Sequence, residues 1–263
     1  MSDVLRVSHD GAVARVTLTR PEVHNAFNAE LIEALRAAFA SLAGEPPAAL
    51  RVVVLDGEGP SFCAGADITW QRAALALSMA DNEADAGRLQ AMLLAIDECP
   101  APVVVRVHGA ALGGGMGLCA VADVVLAVAG TRFGFTETKL GIMPAVISPF
   151  VLAKIGESHA RALFPSGERF DAERAKHIGL VHEVLPDVAA LDARVDEVVG
   201  ELLSAGPTAA RGAKAVIRDL RAMPRAEALA LAVQRGARQR VSAEGQDGLA
   251  AFLDKRSPSW KGD

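Results

Sequence analysis

The run VVVRVHGAALGGGMGL at 103–118 constrains the fold more than any other stretch of the chain. A β-branched apolar segment ends at Gly109, and Gly113, Gly114, Gly115 and Gly117 then crowd together before the apolar sequence resumes. Glycine loses more backbone entropy on folding than other residues, so such crowding implies positive φ angles or a group lying close against the backbone. A buried strand that enters a glycine-rich turn and then a helix leaves unpaired N–H groups at the helix start. Those groups can hold an anion or a partly negative oxygen. Taken alone, the cluster is better explained by tight packing of the helix on the sheet, and a dinucleotide loop fits it too.

The flanking sequence predicts an α/β core. VLRVS and AVARVTLT surround His9-Asp10-Gly11, giving two short strands joined by an Asp-Gly turn. Asn28 is placed to cap a helix carrying Leu31, Leu35, Phe39 and Leu42 at helical spacing, with Gly44 and Pro46 to end it. Val52 to Leu55, closed by Asp56-Gly57, is an unbroken apolar strand of the kind covered on both faces. Ile68 to Arg88 is mixed and acidic, with Trp70 its one large anchor; a mobile or poorly ordered stretch is expected there, then a helix over 87–98. After the strand at 103–107 and the glycine loop come a short helix near 114–121 and a strand at 123–130. A loop at 131–144 follows, with a helical turn starting near Thr136. Asp171 caps a helix ending at Gly179, and GLVHEVLP gives the last strand. Beyond Leu191 only helices are predicted: 191–204, Pro207 to about 222, one through 242 and one over about 244–254. This order divides the chain into an α/β core, 1–200, and a helical C-terminal region, 201–263.

Composition narrows the function classes. A net charge of −5 without a basic cluster excludes nucleic-acid binding through a positive face. Cys63, Cys99 and Cys119 are far apart and in no metal-ligand spacing, which points to a reduced, cytoplasmic setting and no metal site. The N-terminus carries Asp3 and Arg6 and lacks the apolar core of a secretory signal, and no apolar run is long enough to span a bilayer.

Two strand-end loops, Cys63-Ala64-Gly65-Ala66-Asp67 and Gly113-Gly114-Gly115-Met116-Gly117, present small residues whose N–H groups can converge. Two such donors on one oxygen make an oxyanion hole, in which each donor is worth about 10² to 10³ in rate. Backbone donors need no side chain, which accounts for Ala and Gly. A proton carrier is offered by Glu137, although pattern alone favours a solvated residue in the first turn of a helix. A carboxyl group partly removed from water has a raised pKa, which suits acid/base work. Asp67 and Asp123 are read as capping or turn-stabilising. His108 reads as a satisfied core histidine near enough to the loop to stay a candidate base.

The runs HNA at 24–26, FCAGAD at 62–67, HGAALGGGMGL at 108–118, CAVAD at 119–123, FGFTETKLGIMP at 133–144 and GERFDAERAKHIGLVHEV at 167–184 are each weak signals. Together, in order and over nearly the whole chain, they resemble the enoyl-CoA hydratase/isomerase (crotonase) superfamily. The resemblance implies a crotonase-like spiral of ββα units with a C-terminal all-helical region used for trimer formation, often as a dimer of trimers. It implies an acyl-CoA thioester as substrate, with coenzyme A part of that substrate and no separate cofactor.

By position, Ala66 and Gly114 match the residues whose N–H groups hold the thioester oxygen, and Glu137 matches one of two hydratase glutamates. The second glutamate falls at Gly117, a departure that puts the two-carboxylate mechanism in doubt. The CoA is expected over His24, Asn25 and Ala26, its pantetheine arm passing Ala64 and the residues around Asp67 and Ile68. Phe252 and Lys255 are expected to reach adenine and phosphate across a subunit boundary, though Lys255 reads equally well as a solvated charge. Gly117 together with TETKLGIMPAVISPFV resembles bacterial hydratases of leucine or isoprenoid breakdown, which act on branched, glutaconyl-type acyl-CoAs such as 3-methylglutaconyl-CoA. A glycine there would make room for, and relieve repulsion toward, a carboxylated substrate. The alternatives are an isomerase or ACP-linked dehydratase on the same fold, or a catalytically silent acyl-CoA-binding oligomer.

Overall fold

The computed structural model describes residues 3–221 and 223–261. β1 (Leu5–Asp10) and β2 (Val13–Leu18) pair antiparallel across the Asp-Gly turn. A 3-10 turn at Pro21–Val23 leads to α1 (Ala29–Ala43), capped by Asn28, whose Oδ1 accepts the Leu31 N–H at 2.8 Å. Leu31, Ile32, Leu35, Phe39 and Leu42 form its buried stripe.

β3 (Val52–Gly57) follows, then α2 (Ile68–Ala74), α3 (Met79–Asp97), β4 (Val103–Val107), β5 (Ala110–Leu112), α4 (Gly114–Val121) and β6 (Val124–Val128). β7 (Arg132–Gly134) leads into a 3-10 turn at Thr136–Leu140. The chain continues through α5 (Ser148–Leu163), β8 (Arg169–Asp171), α6 (Ala172–His177), β9 (Glu183–Leu185) and α7 (Val188–Ser204).

Six strands form one sheet in the order β1-β2-β3-β4-β6-β9, parallel from β2 onward, and β5-β7-β8 form a second, small sheet. The unbroken apolar strands are explained by layers on both faces. Val53, Leu55, Val103 and Val105 face the main core with α1, α3, α4 and α5, while Val52, Val54, Val104 and Leu126 meet Leu191 and Val195 of α7. Each such side chain contributes about 1.5–3 kcal/mol by leaving water.

The stretch 68–88, expected to be mobile, is two helices instead. Asp67 Oδ1 accepts the Thr69 N–H at 2.7 Å and starts α2; Ser78 Oγ accepts the Asp81 N–H at 3.2 Å and starts α3. The expected helix at 87–98 is the second half of α3, where Met92, Leu93 and Ile96 reach the core. Three-residue strands β5, β7 and β8 and the helix α5, broken by Gly156 (φ 77°, ψ 164°), have no counterpart in the sequence reading.

The C-terminal helices are α8 (Pro207–Arg221), α9 (Arg225–Val241) and α10 (Ala243–Leu253). Arg211 of α8 donates to the carbonyls of Glu45 and Leu50, and Lys214 Nζ lies 2.7 Å from Asp123 Oδ2, fastening this region to the core. Ile217, Val233, Val241, Phe252 and Leu253 on these helices are exposed. No helix among the described residues is long and apolar enough to cross a membrane.

Candidate active site

The two small-residue loops meet beside β5. Cys63 donates to Ala110 O at 3.0 Å and accepts from Leu112 N, while Phe27 N donates to Gly65 O at 2.6 Å and Asp67 N to Phe27 O at 2.8 Å. These bonds use the Gly65 carbonyl and the Asp67 N–H, so the Ala66 N–H between them has no hydrogen-bond partner among the described residues. Gly113 adopts φ 49° and donates to Gly134 O at 2.9 Å. Gly114 opens α4, where a first-turn N–H has no acceptor within the helix. A Cβ on Gly114 would lie 2.6 Å from Cδ2 and Cε2 of the Phe27 ring, so this backbone can approach only as glycine.

Glu137 reaches this junction from the 3-10 turn after β7. A Cβ on Gly113 would stand 3.4 Å from Glu137 Oε1 and 3.7 Å from Gly65 Cα, which puts all three within a few ångströms. Glu137 is half-buried, and its Oε2 is buried without a hydrogen-bond partner among the described residues. Burial raises its pKa, against a smaller lowering by its own backbone N–H. The solvated reading of this residue is therefore set aside.

Ala66, Gly114 and Glu137 line one cavity of about 730 Å³. Its remaining wall comes from α2, α3 and the 140–147 segment, including Trp70, Leu89, Met143 and Ile147. Among the described residues lining it, Asp85 and Glu137 alone are ionisable; Asp85 is buried and paired with Arg88 at 2.5 Å.

The structure brings some expected residues here and not others. His24 and Ala26 belong to a loop tied to the 63–67 loop, with Ala64 N donating to His24 O at 3.0 Å and His24 Nδ1 3.0 Å from Ser61 Oγ. Ala64 and Ile68 line the cavity, Ile68 at its exposed rim. Asp67 is structural, as expected: it caps α2 and pairs with Arg20 at 2.9 Å. Desolvation alone would raise its pKa, but the Arg20 hydrogen bond and the Thr69 and Trp70 N–H groups hold it below the usual value. Asp123 accepts from Val103 N and from Lys214, both at 2.7 Å. His108 has one ring nitrogen 2.8 Å from Gly59 O and the other 3.0 Å from Arg106, so neither is left to act as a base.

Gly117 is not among the cavity's lining residues. A Cβ there would meet Ile147 Cγ2 at 2.8 Å and the Leu93 methyls at 3.3 and 3.4 Å, so the space of the missing glutamate is already filled by hydrocarbon. Phe252 and Lys255 are exposed and line neither this cavity nor the smaller one beside it. Sequence reasoning gave no role to Arg20 and placed Asn25 only under the CoA, whereas both tie the 20–26 loop to the 58–67 stretch. Arg20 donates to Ala26 O and Asp67, and buried Asn25 donates to Glu58 O at 2.9 Å and Ser61 O at 2.8 Å. Asn25 stood in the HNA run, and full burial of an amide was the signal that pattern alone could not supply.

An α/β spiral that sets two free backbone donors and one desolvated carboxylate around a single cavity defines a crotonase-like scaffold. The family model described as enoyl-CoA hydratase/isomerase matches residues 8–263, and the chain belongs to that family. It is similar to the 2,3-dehydroadipyl-CoA hydratase of Escherichia coli K12, with 31% identity over 264 residues covering 100% of both chains. Among solved structures it is similar to Pseudomonas aeruginosa AtuE (TM-score 0.94, 35% identity, covering 98% of this chain and 99% of that one). It is also similar to an enoyl-CoA hydratase from Shewanella pealeana (TM-score 0.92, 34% identity, 98% and 96% covered).

Proposed function

We propose that the protein hydrates an α,β-unsaturated acyl-CoA thioester. The observation that carries this reading is the buried, unpartnered Glu137 Oε2 in the same cavity as the free N–H groups of Ala66 and Gly114. The two N–H groups hold the thioester oxygen, draw electron density from the double bond and make the β-carbon electrophilic. Glu137 orients a water molecule. As the water oxygen bonds to the β-carbon, its proton passes to the carboxylate, and the same carboxyl group returns a proton to the α-carbon. One carboxylate suffices because it is protonated by the attacking water and deprotonated by the α-carbon within the same turnover. Coenzyme A enters as part of the substrate, over the loop of His24 and Ala26, with its arm past Ala64 and Ile68.

The acyl group is proposed to be branched or of glutaconyl type, such as 3-methylglutaconyl-CoA, on the resemblance carried by the TETKLGIMPAVISPFV run; the room expected at Gly117 for a substrate carboxylate is taken by Ile147 and Leu93. The hydrocarbon beside Gly117 means that a substrate carboxylate would lie elsewhere along the chamber. The exposed apolar residues of α8 to α10 support a homotrimer or dimer of trimers, in which Phe252 and Lys255 would contact the CoA of a neighbouring subunit. An isomerase remains the second reading, because the lone Glu137 beside the donors can also move a proton between carbons.

The test is the loss of enoyl absorbance on adding the protein to a panel of enoyl-CoAs, with Glu137→Gln as control. A variant that keeps full activity removes Glu137 from the mechanism, and crotonyl-CoA turned over as well as 3-methylglutaconyl-CoA sinks the substrate assignment.

A further inference from the structure

Helix α4 carries Gly114 at one end and ends at Ala122 on the other. Its residues from Gly115 to Val121 are all buried, so its last carbonyls cannot turn to water. Lys154 of α5 sits at that end: from a half-buried position its Nζ donates at 2.7 Å to the carbonyl of Ala122, the extended residue just past the last turn. A neutral donor would satisfy that carbonyl with a much smaller desolvation penalty than an ammonium group. The chain nevertheless places a full charge at the negative pole of the helix whose positive pole faces the substrate carbonyl.

We propose that Lys154 is a positioning residue for the oxyanion site, its ammonium at the C-terminal end of α4 strengthening the field that the helix presents through Gly114. The inference rests on the reading of Gly114 as a thioester donor. An eight-residue helix spans about 12 Å at 1.5 Å per residue and carries about half a unit charge at each pole. A cation at that distance, at an effective dielectric constant of about 20, is worth about tenfold in rate against a full oxyanion charge, and about threefold against a partial one.

The groups around Lys154 leave this charge in place. The Asp123 carboxylate opposes the field of Lys154, and Lys214, 2.7 Å from Asp123 Oδ2, offsets that negative charge. Cys119 is fully buried, and desolvation pushes its thiol well up, so it stays neutral. Desolvation likewise raises Asp97 and lowers His182, whose Nδ1 accepts the Val125 N–H at 2.8 Å. Burial lowers the pKa of Lys154 itself, and the Asp123 carboxylate opposes that shift.

The experiment uses the full-length protein with saturated butyryl-CoA labelled with carbon-13 at the thioester carbonyl, which binds but cannot be hydrated. The carbonyl stretching frequency is read by difference infrared spectroscopy for wild type and for Lys154→Met, Lys154→Gln and Lys154→Arg. Lys154→Gln keeps a donor without the charge, so it separates the field from simple satisfaction of Ala122 O. The expected result is a carbonyl less polarised in Lys154→Met and Lys154→Gln and restored in Lys154→Arg. The kcat of the two neutral variants on an enoyl-CoA should fall three- to tenfold with KM changed less than twofold. A stretch that stays at its wild-type frequency in whichever neutral variant folds overturns the proposal, even if kcat falls. If wild-type protein itself leaves the carbonyl unshifted, the acyl-CoA reading fails and takes this inference with it, an outcome distinct from failure in the variants alone.

Discussion

Gly117 stands where a second carboxylate is expected, and whether that space is packed hydrocarbon can be decided by a double-mutant cycle. A methyl group at 117 would lie 2.8 Å from Ile147 Cγ2, roughly 1 Å inside an ordinary carbon–carbon contact. Overpacking of this kind costs about 1–3 kcal/mol. Replacing glycine by alanine inside a helix returns about 1 kcal/mol of propensity, so Gly117→Ala alone should destabilise by about 0–2 kcal/mol. Ile147 is 2% exposed, and Ile147→Ala alone should cost about 2–5 kcal/mol. In the double variant the atom that blocks the new methyl is gone, so the overpacking cost vanishes and the propensity gain remains. The coupling energy should therefore be about 1–3 kcal/mol in favour of the double variant, well above the few tenths found for independent sites. Urea unfolding of the four proteins, compared at equal m, measures it. A coupling below about 0.5 kcal/mol would show that Ile147 does not occupy this space and would refute the packing argument. Gly117→Glu should recover no second-carboxylate activity, because its carboxylate would be driven between Ile147 and Leu93 without a partner.

Glu137→Gln should lower hydration by about 10² to 10⁴, read as the rate of enoyl absorbance loss. The same variant should be more stable than wild type at pH 7. Burial raises the folded-state pKa of Glu137 above its unfolded value, so its stabilising contribution is complete below the unfolded pKa and is lost as pH rises through the folded one. Melting temperatures from pH 4 to 8 should diverge upward with pH, and parallel curves would contradict this. Asp67→Ala leaves Arg20 unpaired in a buried site and removes the cap of α2, for an expected loss of about 3–5 kcal/mol in urea unfolding. Because Asp67 is held below its usual pKa, the wild-type advantage should be present above pH 4 and fade as pH falls through its folded pKa. Gly114→Ala forces a methyl group to 2.6 Å from the Phe27 ring, and the displaced donor should cost about 10² to 10³ in kcat with little change in KM.

The elements legible in the sequence are those whose local signal and tertiary environment agree. Asn28 and the apolar stripe behind it, the Asp-Gly turn of β1 and β2, and the unbroken strands at 52–57 and 103–107 each carry a period or a cap that needs no distant partner. Residues 68–88 misled because Ile68, Leu75 and Met79 stay exposed at 78%, 87% and 81%, so no buried stripe marks the helices and only the caps Asp67 and Ser78 reveal them. Strands of three residues, such as β5 and β7, are too short to show alternation and exist through pairing with one another. In the candidate site, the motif order located Ala66, Gly114 and Glu137, but the desolvation of Glu137 comes from neighbours distant in sequence. What surrounds Gly117 was hidden for the same reason, since Ile147 and Leu93 lie 30 and 24 positions away along the chain.

The two halves of the cavity wall come from parts of the chain with different mechanical support. Ala66 sits on a loop laced to β5 and Phe27 by backbone hydrogen bonds and anchored by Arg20 and Asn25, and Gly114 opens a buried helix behind Gly113, which is bonded to β7, whereas the opposite wall is borrowed from the half-exposed helices α2 and α3 and the 140–147 segment. Chemistry and selectivity are thereby written in separable stretches of sequence. Substitutions at Trp70, Leu89 or Met143 can drift toward a new acyl group without disturbing the donors, so a lineage built on this frame can change its diet while keeping its reaction.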